Sequence, residues 1–285
     1  MTFVRVGGVP LHVAVEGSGP VCVLSAGLAM SWYDWDLVVP LLTPFRTVVR
    51  FDRPGHGLSA PAAVPPTAAG EAHRIAGLLD ALGLPGPATV VGHSIAGFHV
   101  EAFARLHPAR TAAVVMVDGS VEEDARTPAA PALRTAAART LGSVLTAVGA
   151  PAALGPLTRR AVVRVSRVPR VSRTGGGDPA PDALVRRCYR TGRVLRGALL
   201  ENARYRDVAA ELLALRERHP LPDVPVTVLA GHDGGSGRWA VRWLDRQAAL
   251  ADRLGARFEV AEPSGHMVML DQPRSVARAV LSHPV

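Results

Sequence analysis

Lysine is absent from this chain. All 32 basic residues of the 285 are arginine, so the formal net charge of +8 rests on one side-chain type and reflects codon usage as much as ligand binding. Cysteine is nearly absent too. Cys22 falls in an expected core strand and Cys188 in an expected helix of a different region. Two thiols at unrelated spacing form neither a disulfide framework nor a metal site, and both read as small buried hydrophobes. No His-Glu-x-x-His and no Cys/His cluster occurs, so no metal is expected. No Gly-x-Gly-x-x-Gly follows the first strand, which argues against a dinucleotide, and no cofactor is expected. Met1 to Gly8 holds no apolar run of signal-peptide length. The most apolar stretch, Leu141 to Leu157, is interrupted by Gly149, Pro151, Gly155 and Pro156. A soluble, cytoplasmic protein is the expectation, and no internal repeat is visible.

What the chain does have is core-forming residues, 48% of the total, enough for one large α/β domain or a domain with an insertion. Its charge is unevenly spread: residues 119–220 hold 18 arginines against 9 acidic residues, while the remainder is close to neutral. Such a segment could attract an acidic substrate, an acidic protein, an anionic membrane or nucleic acid. The arginines are scattered, without interleaved aromatics or a nucleic-acid module, so the expected partner is a small-molecule substrate. Nucleic acid is not expected. A membrane surface is the minor reading, resting on the apolar, arginine-rich stretch Leu141 to Val168.

Short valine-rich runs alternate with helical patterns. Phe3–Val6 and Leu11–Val15 flank Gly7-Gly8-Val9-Pro10 and read as a hairpin. Near-continuous apolar runs at 21–25, 47–51, 89–92, 112–117, 226–230 and 257–260 read as buried parallel strands. Helical patterns fill about 67–82, 95–107, 239–254 and 274–281, with Pro273 at the start of the last. The alternation predicts a mostly parallel sheet with helices on both faces. Residues 120–220 break the rhythm: they are Ala- and Arg-rich, strand-poor and repeatedly interrupted by proline. They read as a helical insertion over the carboxyl edge of the sheet, with Gly175-Gly176-Gly177 as a loop.

The chemistry concentrates at Val90-Val91-Gly92-His93-Ser94-Ile95-Ala96-Gly97, an apolar strand running into a serine flanked by small residues and then a helix. A serine hydroxyl is a poor nucleophile until a base takes its proton, and a tight strand-to-helix turn exposes the oxygen where an imidazole can reach it. Asp52-Arg53-Pro54-Gly55-His56-Gly57-Leu58-Ser59 follows a strand, and Ser264-Gly265-His266-Met267 precedes Asp271-Gln272-Pro273 near the C-terminus.

Along nearly its whole length the chain resembles the α/β-hydrolase fold superfamily. The Asp-Arg-x-Gly-x-Gly-x-Ser loop, the nucleophile elbow and the histidine loop occur in the family's order. The resemblance implies an eight-stranded, mostly parallel sheet with a helical cap inserted after strand 6. Residues 1–119 and 221–285 would then form the core domain and 120–220 the cap. The chain departs from the common pattern at Ala96, where glycine is usual, and at Ala26-Gly27, where the family often has His-Gly.

Ser94 is the expected nucleophile and His266 the general base, being the histidine in a short loop after the last strand. His93 is expected to pack beneath the site, and His56, His99 and His107 to be structural. For the acid that orients the imidazole, Asp233 is preferred. It follows the first strand after the insertion and is surrounded by glycines. Asp118, at the end of the preceding strand, is the alternative acid, with a turn-capping carboxylate as its other reading. Resemblance places the oxyanion-hole donors at the backbone N–H groups of Leu28 and Ile95. The implied activity is hydrolysis of an ester, lactone or thioester of a small, largely apolar molecule through an acyl-serine. A carbon-carbon hydrolase, cofactor-free haloperoxidase, hydroxynitrile lyase or acyltransferase would share these residues. A non-catalytic small-molecule binding protein is the reading from another class. The serine argues against the aspartate-nucleophile epoxide hydrolases and dehalogenases, although Tyr189 and Tyr205 could have served as epoxide-polarising acids.

Overall fold

Valines adjacent in the sequence face opposite sides of one sheet, and that alternation sets the layers. In the computed structural model, which describes residues 2–168 and 177–283, eight strands are formed. They are β1 (Thr2–Val6), β2 (Val9–Glu16), β3 (Val21–Ser25), β4 (Thr47–Phe51), β5 (Ala88–His93), β6 (Thr111–Val117), β7 (Val226–Gly231) and β8 (Arg257–Ala261). Their spatial order is β1-β2-β4-β3-β5-β6-β7-β8. β2 pairs antiparallel with β1 and β4, and every other pairing is parallel. The hairpin turn between β1 and β2 uses Gly7 and Gly8, at φ +52° and +79°, a conformation in which a Cβ would be strained.

Val23, Val49, Val90, Val114 and Val228 point to one face of the sheet. There they meet α2 (Ala68–Ala81), α3 (Ala96–Leu106) and α8 (Arg238–Leu254). Their neighbours Cys22, Leu24, Val48, Val91, Val115 and Leu229 point to the other face. That face is covered by the short helix α1 (Val39–Leu42), by α9 (Val268–Asp271) and by α10 (Pro273–Leu281). Both sides of the central strands are therefore dry, as continuous apolar runs require. Cys22 and Cys188 are free and buried, and burial pushes both thiols up to about 12, so both stay neutral.

Four helices lie between β6 and β7: α4 (Pro131–Ala147), α5 (Ala150–Val165), α6 (Asp182–Tyr189) and α7 (Gly192–Arg218). Gly175 and Gly176, read as loop residues, and Pro169, one of the prolines that interrupt the insertion, lie outside the described residues. The first half of α7 faces the loops at the carboxyl ends of the strands. Its second half joins the main core through Val208, Ala209, Leu212 and Leu215. Glu211 on that second half accepts from the backbone N–H groups of Ala68 and Ala69 (2.7 and 3.2 Å), satisfying the start of α2. The α4–α5 junction bends by 106° at Val148 and Gly149. Among the described residues no single helix is long and apolar enough to cross a membrane. Gly155 and Pro156, expected to interrupt this stretch, lie within α5 instead. A Cβ on Gly155 would sit 1.9 Å from the Tyr189 carbonyl, so the glycine allows α5 and the end of α6 to touch. The hydrogen bond Pro156 cannot donate would have ended at Ala152, an exposed residue.

Candidate active site

The chain order of the strands reverses beside β3, because β4 lies on one side of it and β5 on the other. The crevice above such a reversal is where α/β sheets hold ligands. β3 and β5 are in register at Ser25 and Gly92, so the loops that follow them open side by side. Ser94 follows β5 and Leu28 follows β3. Asp118 follows β6, and His266 follows β8.

Ser94 has φ +55°, a left-handed conformation that costs a non-glycine residue on the order of 1–2 kcal/mol. The cost is sustained because the turn is held on both sides. Ser94 N donates to the Val117 carbonyl (3.2 Å), and the Ser94 carbonyl accepts from Gly97 N (2.9 Å) and Ser120 N (3.0 Å). A Cβ on Gly92 would lie 2.3 Å from the Ala96 carbonyl oxygen, so glycine is required there. Ala96 is fully buried, and its one methyl is accommodated. The Ile95 N–H lies at the start of α3, where the backbone donors of a helix are unsatisfied.

His266 Nδ1 donates to Asp118 Oδ2 at 2.6 Å, which corrects the preference for Asp233. Asp118 is buried and adopts φ +44° at the end of β6. Its other oxygen, Oδ1, accepts from Gly231 N (2.9 Å) and Trp243 Nε1 (2.8 Å). Asp233 is exposed, and its Oδ1 accepts from Gly235 N two residues on (2.8 Å). The glycines around Asp233 are thus the signature of a local Asx turn, the capping role that had been the other reading of Asp118. Trp243 was missed. One indole N–H on an amphipathic helix carries no motif, and only its approach to Asp118 gives it meaning.

His93 packs its ring against that of His266, with centroids 4.6 Å apart, and its Nε2 donates to the His266 carbonyl at 2.9 Å. This ties the histidine loop to the elbow. Complete burial, with the His266 ring beside it, drives the His93 pKa well below that of a free imidazole, and the ring is neutral. Its Nδ1 faces Gly27, where a Cβ would come within 2.7 Å.

The turn carrying Leu28 is built without the histidine common in the family. Met30 N donates to the Gly27 carbonyl (3.1 Å), and Ala29 has φ +57°. Arg53 donates to the Gly27 carbonyl (2.8 Å) and to that of Ala26, while Tyr189 Oη donates to the Ala29 carbonyl (2.5 Å). Arg53 is itself held by Glu201 of α7, with Nε and Nη2 each 2.8 Å from the carboxylate. Burial alone would raise the Glu201 carboxyl, but the charges and hydrogen bonds of Arg53 and His56 outweigh it and hold the group well below the usual carboxylate range. Residues of the Asp-Arg-x-Gly loop and of the inserted helices therefore fix the turn. Asp52 secures the loop by accepting from Trp32 N and Leu58 N, both at 3.0 Å, and a Cβ on Gly57 would collide with its carboxylate.

A cavity of about 360 Å³ adjoins Leu28 and Met267, the residue after His266. It is lined mainly by aliphatic residues such as Leu145, Leu154, Val162 and Val194. Its one charged residue, Arg159, is buried and neutralised by Asp34 and Asp178, with its guanidinium over the rings of Tyr33 and Tyr189 (5.7 and 5.5 Å). On the other side of His266 a wider groove of about 740 Å³ is floored by Asp118 and His266 and walled by Trp239 and Trp243. Those two indoles stack with a 6.0 Å centroid separation.

The family model described as the alpha/beta hydrolase family matches residues 22–279. Among solved structures, Cfl2 from Burkholderia cenocepacia aligns with a TM-score of 0.74 at 22% identity, covering 98% of this chain and 94% of its own. The epoxide hydrolase CorEH aligns with a TM-score of 0.72 at 21% identity, over 99% and 96%. The enol-lactonase from Burkholderia xenovorans aligns with a TM-score of 0.66 at 23% identity, over 99% and 98%. These likenesses establish the architecture.

Proposed function

Because the chain belongs to the alpha/beta hydrolase family, we propose that it is a serine hydrolase cleaving an ester, lactone or thioester of a small, largely apolar molecule. The reading rests above all on one observation, the buried Asp118 carboxylate 2.6 Å from His266 Nδ1 in the crevice that also holds the strained Ser94 turn. Asp118 fixes the imidazole with Nδ1 protonated, which leaves Nε2 basic. His266 takes the proton from Ser94 Oγ as that oxygen bonds to the substrate carbonyl carbon. The carbonyl oxygen gains charge opposite the N–H groups of Leu28 and Ile95. Collapse breaks the bond to the leaving group, which receives the proton from His266. Water, deprotonated by the same imidazole, then attacks the acyl-Ser94, and His266 returns the proton to Ser94 Oγ as the ester bond breaks and the acid is released.

The aliphatic cavity beside Leu28 suits an apolar acyl group, and the neutralised Arg159 makes it a poor receptor for a free carboxylate. The wider groove beyond His266 suits the leaving group. An enol-lactonase among the similar structures is consistent with ester chemistry. The epoxide hydrolase reading is disfavoured, because serine replaces the aspartate nucleophile and the Tyr189 hydroxyl is committed to the Ala29 carbonyl.

The test is the intact mass of the protein after brief exposure to a fluorophosphonate, with Ser94→Ala as control, followed by p-nitrophenyl esters of increasing chain length. One adduct, absent from Ser94→Ala, with turnover that depends on chain length is the expected result. A folded wild type that takes no adduct would overturn the proposal in favour of a binding protein.

A further inference from the structure

Five arginines converge on a second cavity, of about 170 Å³, on the far side of Arg53 from the Leu28 turn. It opens at the seam where the loop after β4 and helix α2 meet α4 and α7. Two of its arginines are compensated: Arg53 by Glu201, and Arg74 by Glu71 at 3.2 Å. Arg139, Arg193 and Arg196 have no carboxylate partner among the described residues. Arg139 and Arg193 reach the cavity wall through backbone oxygens, donating to the carbonyls of Ala63 (2.8 Å) and Gly57 (2.5 Å). The stem of Arg196 crosses α4 at Gly142, where a Cβ would lie 2.7 Å from Arg196 Cγ. That glycine makes room for the arginine to run along the seam.

Three uncompensated guanidinium groups in one concave site repel one another, and Arg193 and Arg196 do so from adjacent turns of the same helix. Arg139 and Arg196 are exposed, so water screens part of this repulsion, and an anion among the three would relieve the rest. Among the described residues the carboxylates that line the cavity, Glu71 and Glu201, are each paired with another arginine, and the forked donors match the geometry of an oxyanion. We propose that this seam cavity binds a small tetrahedral oxyanion of the phosphate class, with Arg139, Arg193 and Arg196 as its principal donors. Room for roughly five water-sized groups suits inorganic phosphate or the phosphate of a monoester, with the rest of such an ester outside. The ion would join α4 and α7 to the loop after β4. It leaves Ser94 untouched, and Arg53 alone borders both this cavity and the Leu28 turn.

The test is thermal unfolding of the full chain at pH 7.5 in sodium phosphate against sodium chloride at matched ionic strength, with titration calorimetry using inorganic phosphate. Phosphate is expected to raise Tm by about 2–4 °C beyond the chloride control at saturation. Ser94→Ala should keep the rise. Arg139→Gln/Arg196→Gln should lose it while retaining ester turnover, and Arg196→Gln alone serves if the double variant does not fold. Phenyl phosphate separates the two sources of the ion. A larger shift than with inorganic phosphate assigns a monoester, and an equal shift assigns the free ion. No shift beyond chloride in the wild type, or an undiminished shift in a folded arginine variant, would overturn the proposal.

Discussion

Both oxygens of Asp118 are in use, one on His266 and the other on the N–H groups of Gly231 and Trp243, so its carboxylate is held in one orientation by three donors. Asp118→Asn leaves the volume unchanged but presents an amide that can donate to Nδ1 and favour the wrong tautomer. Ester turnover should fall on the order of 10⁴-fold. Asp233→Asn should change it less than about threefold, since its carboxylate serves a local turn and stabilises by tenths of a kcal/mol. Comparing kcat for the two variants decides between the acids. Trp243→Phe keeps the ring against its neighbour and removes one donor, and kcat/KM should fall about tenfold with unchanged melting temperature. A wild-type rate would reduce Trp243 to a packing role. The serine, the histidine and both candidate acids were legible in the sequence, because each lies in a short loop directly after a strand. The choice between Asp118 and Asp233 was not legible, because glycine enrichment looks alike around an active-site loop and around an Asx turn. The support of the Leu28 turn by Arg53 and Tyr189 was hidden for another reason: Arg53 reaches Gly27 across 26 positions and Tyr189 reaches Ala29 across 160.

At the scale of elements, the central strands followed directly from valine runs, since a strand buried on both faces has few polar positions to blur its ends, whereas β8, read as a buried strand, is an edge strand whose Arg257, Phe258 and Val260 are exposed. The four-residue turn of helix Trp32–Trp35, α1 and α9 escaped, being too short to show a 3.6-residue period. Pro156 within α5 escaped because local propensity gave way to packing, with Gly155 lying against Tyr189. The strand-to-helix turn between β5 and α3 offers the sharpest test of the element argument. Its two small residues differ in kind, because Gly92 abuts a backbone oxygen that cannot move without unwinding α3. Gly92→Ala should cost about 3 kcal/mol or prevent folding, whereas Ala96→Gly should cost about 1 kcal/mol through backbone entropy and keep the turn. Urea midpoints and fluorophosphonate labelling of both variants check this. Equal tolerance at the two positions would mean that the turn is looser than its contacts imply.

Across the whole molecule, the elbow and the seam between sheet and inserted helices are joined by a buried polar band that makes folding stability depend on pH. His93 is fully buried and its pKa lies far below 6.5. His99 on α3 faces Arg53, Glu201, His56 and Arg74, and burial with the Arg53 charge takes it down to about 3. In the unfolded chain both titrate near 6.5, so below that pH the unfolded state binds protons that the folded state refuses. Folding stability is therefore fully present above pH 6.5 and declines as the pH falls, by about 1.4 kcal/mol per pH unit for each histidine. Glu201 adds loss in the same direction at lower pH, because its carboxyl is held ionised in the folded state and takes up a proton once the chain unfolds. Between pH 6 and pH 5 the two histidines together give a slope of about 2–3 kcal/mol per unit, a large share of the 5–15 kcal/mol that holds a domain together. Urea unfolding at pH 7.5, 6.5, 5.5 and 5.0 measures the slope. His99→Leu, which removes one refusing group and keeps an apolar side chain, should roughly halve it while shifting the midpoint little at pH 7.5. A slope that His99→Leu leaves unchanged would show that the ring is reached by water and takes its proton in the folded state. The band between α3 and α7 would then be a solvated channel instead of a sealed contact.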